Sequence, residues 1–157
     1  MLTTTYRYQF ARAQVWRGLF DTERWRLDWI GVLEDTCGRR FRVSHYPILG
    51  TRYSGVYDLE VAKMIPNHEC ILYPKALALY GESTQWRFTF NLTDVHGGTA
   101  VTTTISGGNT ADRDDRVLLY MLAGLQNQAL NTLDTDLQSG AVAYERGGPQ
   151  TTQVGPR

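Results

Sequence analysis

The chain has only two cysteines, Cys37 and Cys70, far apart and in no CxxC spacing. That excludes a disulfide-dense secreted scaffold and a zinc site built on cysteine pairs. The two read as thiols of a reducing cytoplasm, with a bridge between them left open by the sequence. No apolar run is long enough to cross a bilayer. Met1-Leu2-Thr3-Thr4-Thr5 has no apolar core of a secretory signal, so a cytoplasmic protein is expected. An excess of either charge is also missing, because 16 Lys+Arg balance 16 Asp+Glu. Bulk attraction to nucleic acid or to an anionic membrane is therefore not expected. The histidines His45, His68 and His96 are scattered, with no HExxH, so no metal site is expected. There is no GxSxG, and Ser44 and His45 are adjacent, which on a strand turns them to opposite faces. No phosphate-binding P-loop occurs, and Gly97-Gly98 reads as a hairpin turn, so no nucleotide and no other cofactor is expected.

What is present is an ordinary globular composition. The 157 residues are 42% hydrophobic and 20% charged, which suits one domain. That domain is expected over residues 1–139. From Gly140 onward Gly, Pro, Gln, Thr and Arg dominate, which reads as a disordered tail over 140–157. Half of the basic residues (Arg7, Arg12, Arg17, Arg24, Arg26, Arg39, Arg40 and Arg42) fall in the first 42 positions. They read as solvated helix and turn faces; the sharper reading is a docking patch for an acidic partner or a carrier protein.

Thr3 to Phe10 alternates, with Tyr6, Tyr8 and Phe10 on one face, as a strand does. Ala13 to Phe20 carries Val15, Trp16, Leu19 and Phe20 at helical spacing. Asp21 or Thr22 can cap a second short helix bearing Trp25 and Trp29, four residues apart and on one face. Strands are then expected over Val32 to Asp35, Arg40 to Tyr46, Gly50 to Val61 with a bend at Gly55, and His68 to Tyr73. Pro47 and Pro74 are read as strand breakers and Pro66-Asn67 as a turn. Glu82 to Thr93 and Thr99 to Ser106 form the last hairpin around Asp94 to Gly98. Asp112 can cap the final helix, with Asp114 and Asp115 complementing its dipole. Asp112 to Gln138 would span about 40 Å. Leu119, Leu122, Gln126, Leu130, Leu133 and Leu137 form its stripe, with Gln126 the one polar member. Strands joined by short turns are antiparallel, and helices segregated at the ends point to α+β.

The first strand followed by Ala13-Gln14-Val15-Trp16, then Leu19-Phe20-Asp21 and Arg24-Trp25 ahead of Trp29, form a pattern. Gly50-Thr51-Arg52, Trp86-x-Phe88-x-Phe90, Gly97-Gly98-Thr99 with Val101, and Leu130-x-x-Leu133 extend it over residues 3–138. With these features the chain resembles the START-like helix-grip (SRPBCC) superfamily, in its polyketide cyclase/dehydrase-like branch. The resemblance implies a curved antiparallel sheet of six to seven strands around a long C-terminal helix, with two short helices after the first strand. It implies a cavity between sheet and helix. The superfamily includes aromatic polyketide cyclases, lipid and sterol carriers, plant hormone receptors and chaperone activators, so function has to come from the site.

Taking the large apolar residues as register, Trp86, Phe88 and Phe90 point inward, opposed by Val101, Thr103 and Ile105. The same alternation places Tyr53, Tyr57 and Leu59 on one face, Ile71 and Tyr73 on another strand's inner face, and Phe41, Val43 and His45 on a third. An apolar cavity with a few convergent polar groups is the usual form of a small-molecule site. The bland reading of each residue is core or wet rim. The sharper reading gives Tyr53, Tyr57, Ile71, Trp86, Phe88, Phe90, Thr103, Leu122, Gln126 and Leu130 to ligand binding, and His45 and Tyr73 to catalysis. Two classes of function follow. One is a cofactor-independent cyclase or dehydratase in which His45 moves a proton while the walls fold a reactive chain. The other is a carrier or sensor for a hydrophobic small molecule, or a regulator of a partner protein. An exposed edge at the first or last strand would support a homodimer.

Overall fold

The computed structural model describes residues 1–21, 40–44, 48–80 and 84–140. The second short helix with Trp25 and Trp29, the strand at 32–35, Cys37, His45, Pro47 and the tail beyond Gly140 lie outside these described residues. Among the described residues eight elements are defined: β1 (Leu2–Tyr8), α1 (Arg12–Leu19), β2 (Arg40–Ser44), β3 (Tyr53–Ile65), β4 (Glu69–Ala78), β5 (Thr84–Val95), β6 (Gly98–Gly107) and α2 (Arg113–Ser139). The strands form one six-stranded sheet in the order β1-β6-β5-β4-β3-β2, with every neighbouring pair antiparallel. The architecture is the expected α+β arrangement of a curved sheet around a long C-terminal helix.

Local chemistry sets the turns. His96-Gly97 closes the β5–β6 hairpin between Val95 and Gly98, with Gly97 at φ 77°. Gly98 has a second duty. A Cβ there would fall 1.9 Å from the Tyr8 carbonyl oxygen, so only glycine lets β6 start against the end of β1. Pro66-Asn67-His68 turns β3 into β4, with Asn67 in the left-handed region. β3 is bent twice. Its register to β4 shifts between Tyr53 and Tyr57, around Gly55, and again between Val61 and Lys63, where Ala62 is the extra residue.

Two strand expectations are corrected. Pro74 does not end β4; it pairs with Leu59 of β3 and the strand runs on to Ala78. The ladder to β5 skips Tyr73 and Pro74 and resumes at Lys75 opposite Gln85. Lacking an N–H, Pro74 costs a bond on that side, yet it is accommodated because β3 still pairs with it. The register of β4 also differs from the expectation. Leu72 lies opposite Val61 and Phe88, and Cys70 opposite Met64 and Phe90, so Cys70 and Leu72 face inward. Ile71 and Tyr73, opposite Lys63 and Glu60, share the other face. Cys70 to Tyr73 is a continuous apolar run, so its own alternation gives no vote.

The first turn of α2 is capped as expected: the Asp112 side chain accepts the backbone N–H of Asp115. Gly140, left-handed at φ 71°, closes the other end. Leu118, Leu119, Leu122, Leu130, Leu133 and Leu137 are its buried apolar face. Those leucines divide between two clusters. Leu130, Leu133 and Leu137 pack with Tyr8, Trp16, Phe20, Val61, Leu72 and Val101. Leu118, Leu119 and Leu122 pack with Tyr53, Tyr57, Trp86 and Ile105. Among the described residues, no helix is long and apolar enough to cross a membrane.

Candidate functional site

The concave face of the sheet, where α2 crosses it, is built on β5. Phe88 lies opposite Ile105 of β6 and Leu72 of β4, and Phe90 opposite Thr103 and Cys70. Trp86, Phe88 and Phe90 therefore face α2, as the alternation predicts, together with Val101, Thr103 and Ile105. Both phenylalanines sit on a strand with neighbours on each side. An aromatic ring in that position is ordinarily sealed. Trp86 is, yet Phe88 and Phe90 are only half-buried.

The helix explains the difference. Between Leu122 and Leu130 its stripe offers only Gln126, itself half-buried, flanked by the small, half-buried Ala123 and Ala129. The helix thus grips the sheet with leucines at both ends and with a polar residue and small ones in the middle. Phe88 packs against both clusters, and Phe90 against the one nearer α1. Leu122 and Leu130 are buried, one in each cluster, on either side of this stretch.

The polar groups on the face are held differently from one another. Thr103 is buried, and its hydroxyl donates to the Thr4 carbonyl at 3.4 Å. Tyr53 is buried and faces inward, but its hydroxyl donates to Asp115 Oδ1. The Asp115 carboxylate, 3% exposed, also accepts from Arg52 Nη2 and, through Oδ2, from the backbone N–H of Asn109 at 2.6 Å. Arg52 reaches Asp112 Oδ1 through Nη1 at 2.9 Å, and its backbone N–H donates to Asp114 Oδ2 at 2.9 Å. This network ties the start of β3 to the first turn of α2. Backbone and guanidinium donors together make it a set of charge-assisted bonds. Tyr57, two turns of the pleat along β3, is held above the usual phenol range by burial and then by neighbouring Tyr53. It therefore keeps its proton and acts only as a neutral hydroxyl.

Two indole nitrogens stand out. Trp86 Nε1 and Trp16 Nε1 are buried and have no hydrogen-bond partner among the described residues. A buried indole N–H normally has one.

Placed against the expectations, Tyr53, Tyr57, Trp86, Phe88, Phe90, Thr103, Leu122, Gln126 and Leu130 all lie on the concave face or on the helix face above it. Ile71 and Tyr73 do not. The Tyr73 hydroxyl belongs to the opposite side of β4, which removes it as a catalytic group of this face. Phe41 and Val43 occupy the register positions opposite Leu59 and Tyr57. His45 lies outside the described residues. The Arg52–Asp115 connection goes beyond the sequence reading, in which Asp114 and Asp115 complement the helix dipole only. The signal for it was acidic residues at 112, 114 and 115, more than one cap requires. Among the described residues, no group of three or more His, Cys, Asp or Glu side chains is arranged to hold a metal ion.

No family model matches the chain, and no curated protein matches it either. Solved structures do. MLL2253 from Mesorhizobium loti superposes with a TM-score of 0.70 at 21% identity, over 88% of this chain and 96% of its own. DynU16, a protein of the dynemicin biosynthetic locus, gives 0.63 at 19% identity, over 88% of this chain and 47% of its own. CalU16 from Micromonospora echinospora gives 0.59 at 14% identity, over 87% of this chain and 73% of its own. Identities this low speak to the fold alone, and the fold they share with this chain is the helix-grip fold.

Proposed function

We propose that this protein binds a hydrophobic or aromatic small molecule between α2 and the concave face, and that it is a cofactor-independent cyclase or dehydratase of the polyketide-cyclase type. The observation that carries the binding reading is the half-buried state of Phe88 and Phe90 beneath the stretch of α2 between Leu122 and Leu130, where Leu125 is exposed and no leucine is buried. A flat apolar ligand stacked there would complete the burial of both rings, worth about 25 cal/mol for each Å² of apolar surface removed from water. The catalytic reading rests on what such enclosure does. It holds reacting carbons in a near-attack geometry and excludes water, and no cofactor is required for aldol closure or loss of water. Tyr57, which keeps its proton, and Gln126 are the groups that would orient a carbonyl. His45 is the proposed proton carrier. The neighbour from the dynemicin biosynthetic locus is in keeping with natural-product chemistry for this fold.

A second reading, a carrier or sensor of the same ligand, has its own support. The Tyr53 hydroxyl is engaged by Asp115 and Tyr73 faces away, which leaves few polar groups on the face for chemistry. Native mass spectrometry of the purified protein, followed by incubation with a poly-β-ketone, tests both. A retained small molecule supports binding, and a product lighter by one water supports the enzyme. An isomer of the same mass but different chromatographic retention also supports the enzyme, a retained molecule returned unchanged in both mass and retention supports the carrier, and failure to retain any aromatic compound defeats both readings.

A further inference from the structure

Among the described residues, Trp86 presents a donor with nothing to receive it. Its side chain is 1% exposed, its Nε1–H has no acceptor among the described residues, and an indole can only donate. Leaving such a group unmet in the interior is costly, and native interiors rarely do so without a reason. The ring is also fixed in place. A Cβ at Gly108, which is left-handed at φ 71°, would lie 2.5 Å from Trp86 Cη2 and 2.7 Å from Cζ2. The neighbouring Gly107, at φ 105°, would bring a Cβ within 2.9 Å of the Trp86 Cα. Gly107 therefore lets the end of β6 close on the β5 backbone, and Gly108 seats the indole ring, which makes its N–H a preorganised donor. It lies on the same face and strand as the half-buried Phe88 two residues further on.

The surroundings narrow what it would bind. Tyr53, Tyr57, Ile105, Leu118, Leu119 and Leu122 pack with it, and all are uncharged. The nearest cation in the network, Arg52, is occupied by Asp112 and Asp115. A carboxylate or phosphate would enter this cluster without a counter-charge, which is unfavourable in an apolar interior. A neutral acceptor meets no such cost.

We infer that Trp86 Nε1–H is the recognition donor for a neutral carbonyl oxygen on an aromatic ligand, a ketone or quinone rather than an acid or a plain hydrocarbon. The inference rests on the ligand-binding reading given above and specifies the ligand class. The carbonyl completes the hydrogen bond that the fold leaves open, and the ring carrying it lies along Phe88.

The test compares alpha-tetralone, tetralin and alpha-naphthoate on the full chain and on Trp86→Phe, which keeps an aromatic ring and removes the N–H. Affinities come from calorimetry, and the indole N–H resonances from nitrogen-edited NMR, with the Trp86 signal assigned in the wild-type chain by through-bond experiments. The wild-type chain binds alpha-tetralone more tightly than tetralin. Trp86→Phe shrinks that preference by about tenfold, equivalent to about 1.4 kcal/mol, and only alpha-tetralone shifts the Trp86 N–H signal. Thermal melting checks that Trp86→Phe is folded. If it is not, the resonance shift in the wild-type chain decides the matter alone. Binding of alpha-tetralone and tetralin with equal affinity and no movement of the Trp86 signal overturns the inference while leaving a ligand site in place. Tighter binding of alpha-naphthoate overturns the neutral class. Binding of none of the three removes the site and the inference together.

Discussion

Asp115 shows how one side chain can decide whether an end of this molecule holds together. It is buried, and it receives Arg52, the Tyr53 hydroxyl and the Asn109 N–H at once. Asp115→Ala strips three donors of their acceptor and is expected to cost about 3 kcal/mol in urea unfolding. Asp115→Asn keeps an acceptor oxygen and should cost clearly less. Asp112 adds a pH dependence. Its carboxyl is held below the usual carboxylate range by the Asp115 backbone N–H and then by Arg52. A lowered folded value stabilises the chain above the ordinary carboxyl range, about pH 4, and that stabilisation disappears as pH falls through the folded value. Melting temperatures of wild type and Asp112→Asn should therefore differ near neutrality and converge in acid. The sequence shows the cap and a surplus of carboxylates at 114 and 115, but not what they pair with. Arg52 and Asp115 are 63 residues apart, and nothing local announces that pairing. The lone N–H of Trp86 was equally hidden, since a sequence shows an indole but not its missing partner.

At the scale of elements, α2 and the β5–β6 hairpin were legible and β4 was not. The α2 leucines repeat at helical spacing behind a local Asp112 cap, and Trp86, Phe88 and Phe90 alternate with polar residues, so each pattern carries its own register. Cys70-Ile71-Leu72-Tyr73 carries none, and only pairing with β3 and β5 sets it. A pair of substitutions measures that register: Leu72→Ala is expected to cost about 2–5 kcal/mol, and Tyr73→Ala much less. Unfolding curves that reverse this order would turn β4 over. In α2, Gln126→Leu would continue the apolar stripe across the middle of the helix. It should raise the melting temperature and abolish binding of aromatic ligands, the trade expected where a site is kept open at the expense of packing.

Across the described residues, Phe88 packs against both clusters that the two ends of α2 cover. Phe88→Ala is expected to cost about 2–3 kcal/mol, below the range for a fully buried ring, and to broaden the calorimetric transition as the two clusters lose their common member. The sheet order has a consequence in time. β1 is synthesised before the other five strands, but its partner is β6, and the Thr3–Thr104 hydroxyl pair closes across 101 residues. At about 5–20 residues per second, a ribosome leaves β1 without its ladder for several seconds. Meanwhile β3, β4, β5 and β6 can zip as successive hairpins. Threonines 3 and 5, whose side chains end on the solvent side of the finished sheet, keep that waiting strand half polar. Of the six strands β1 thus waits longest for its partner, and its exposure to other nascent chains is longest there.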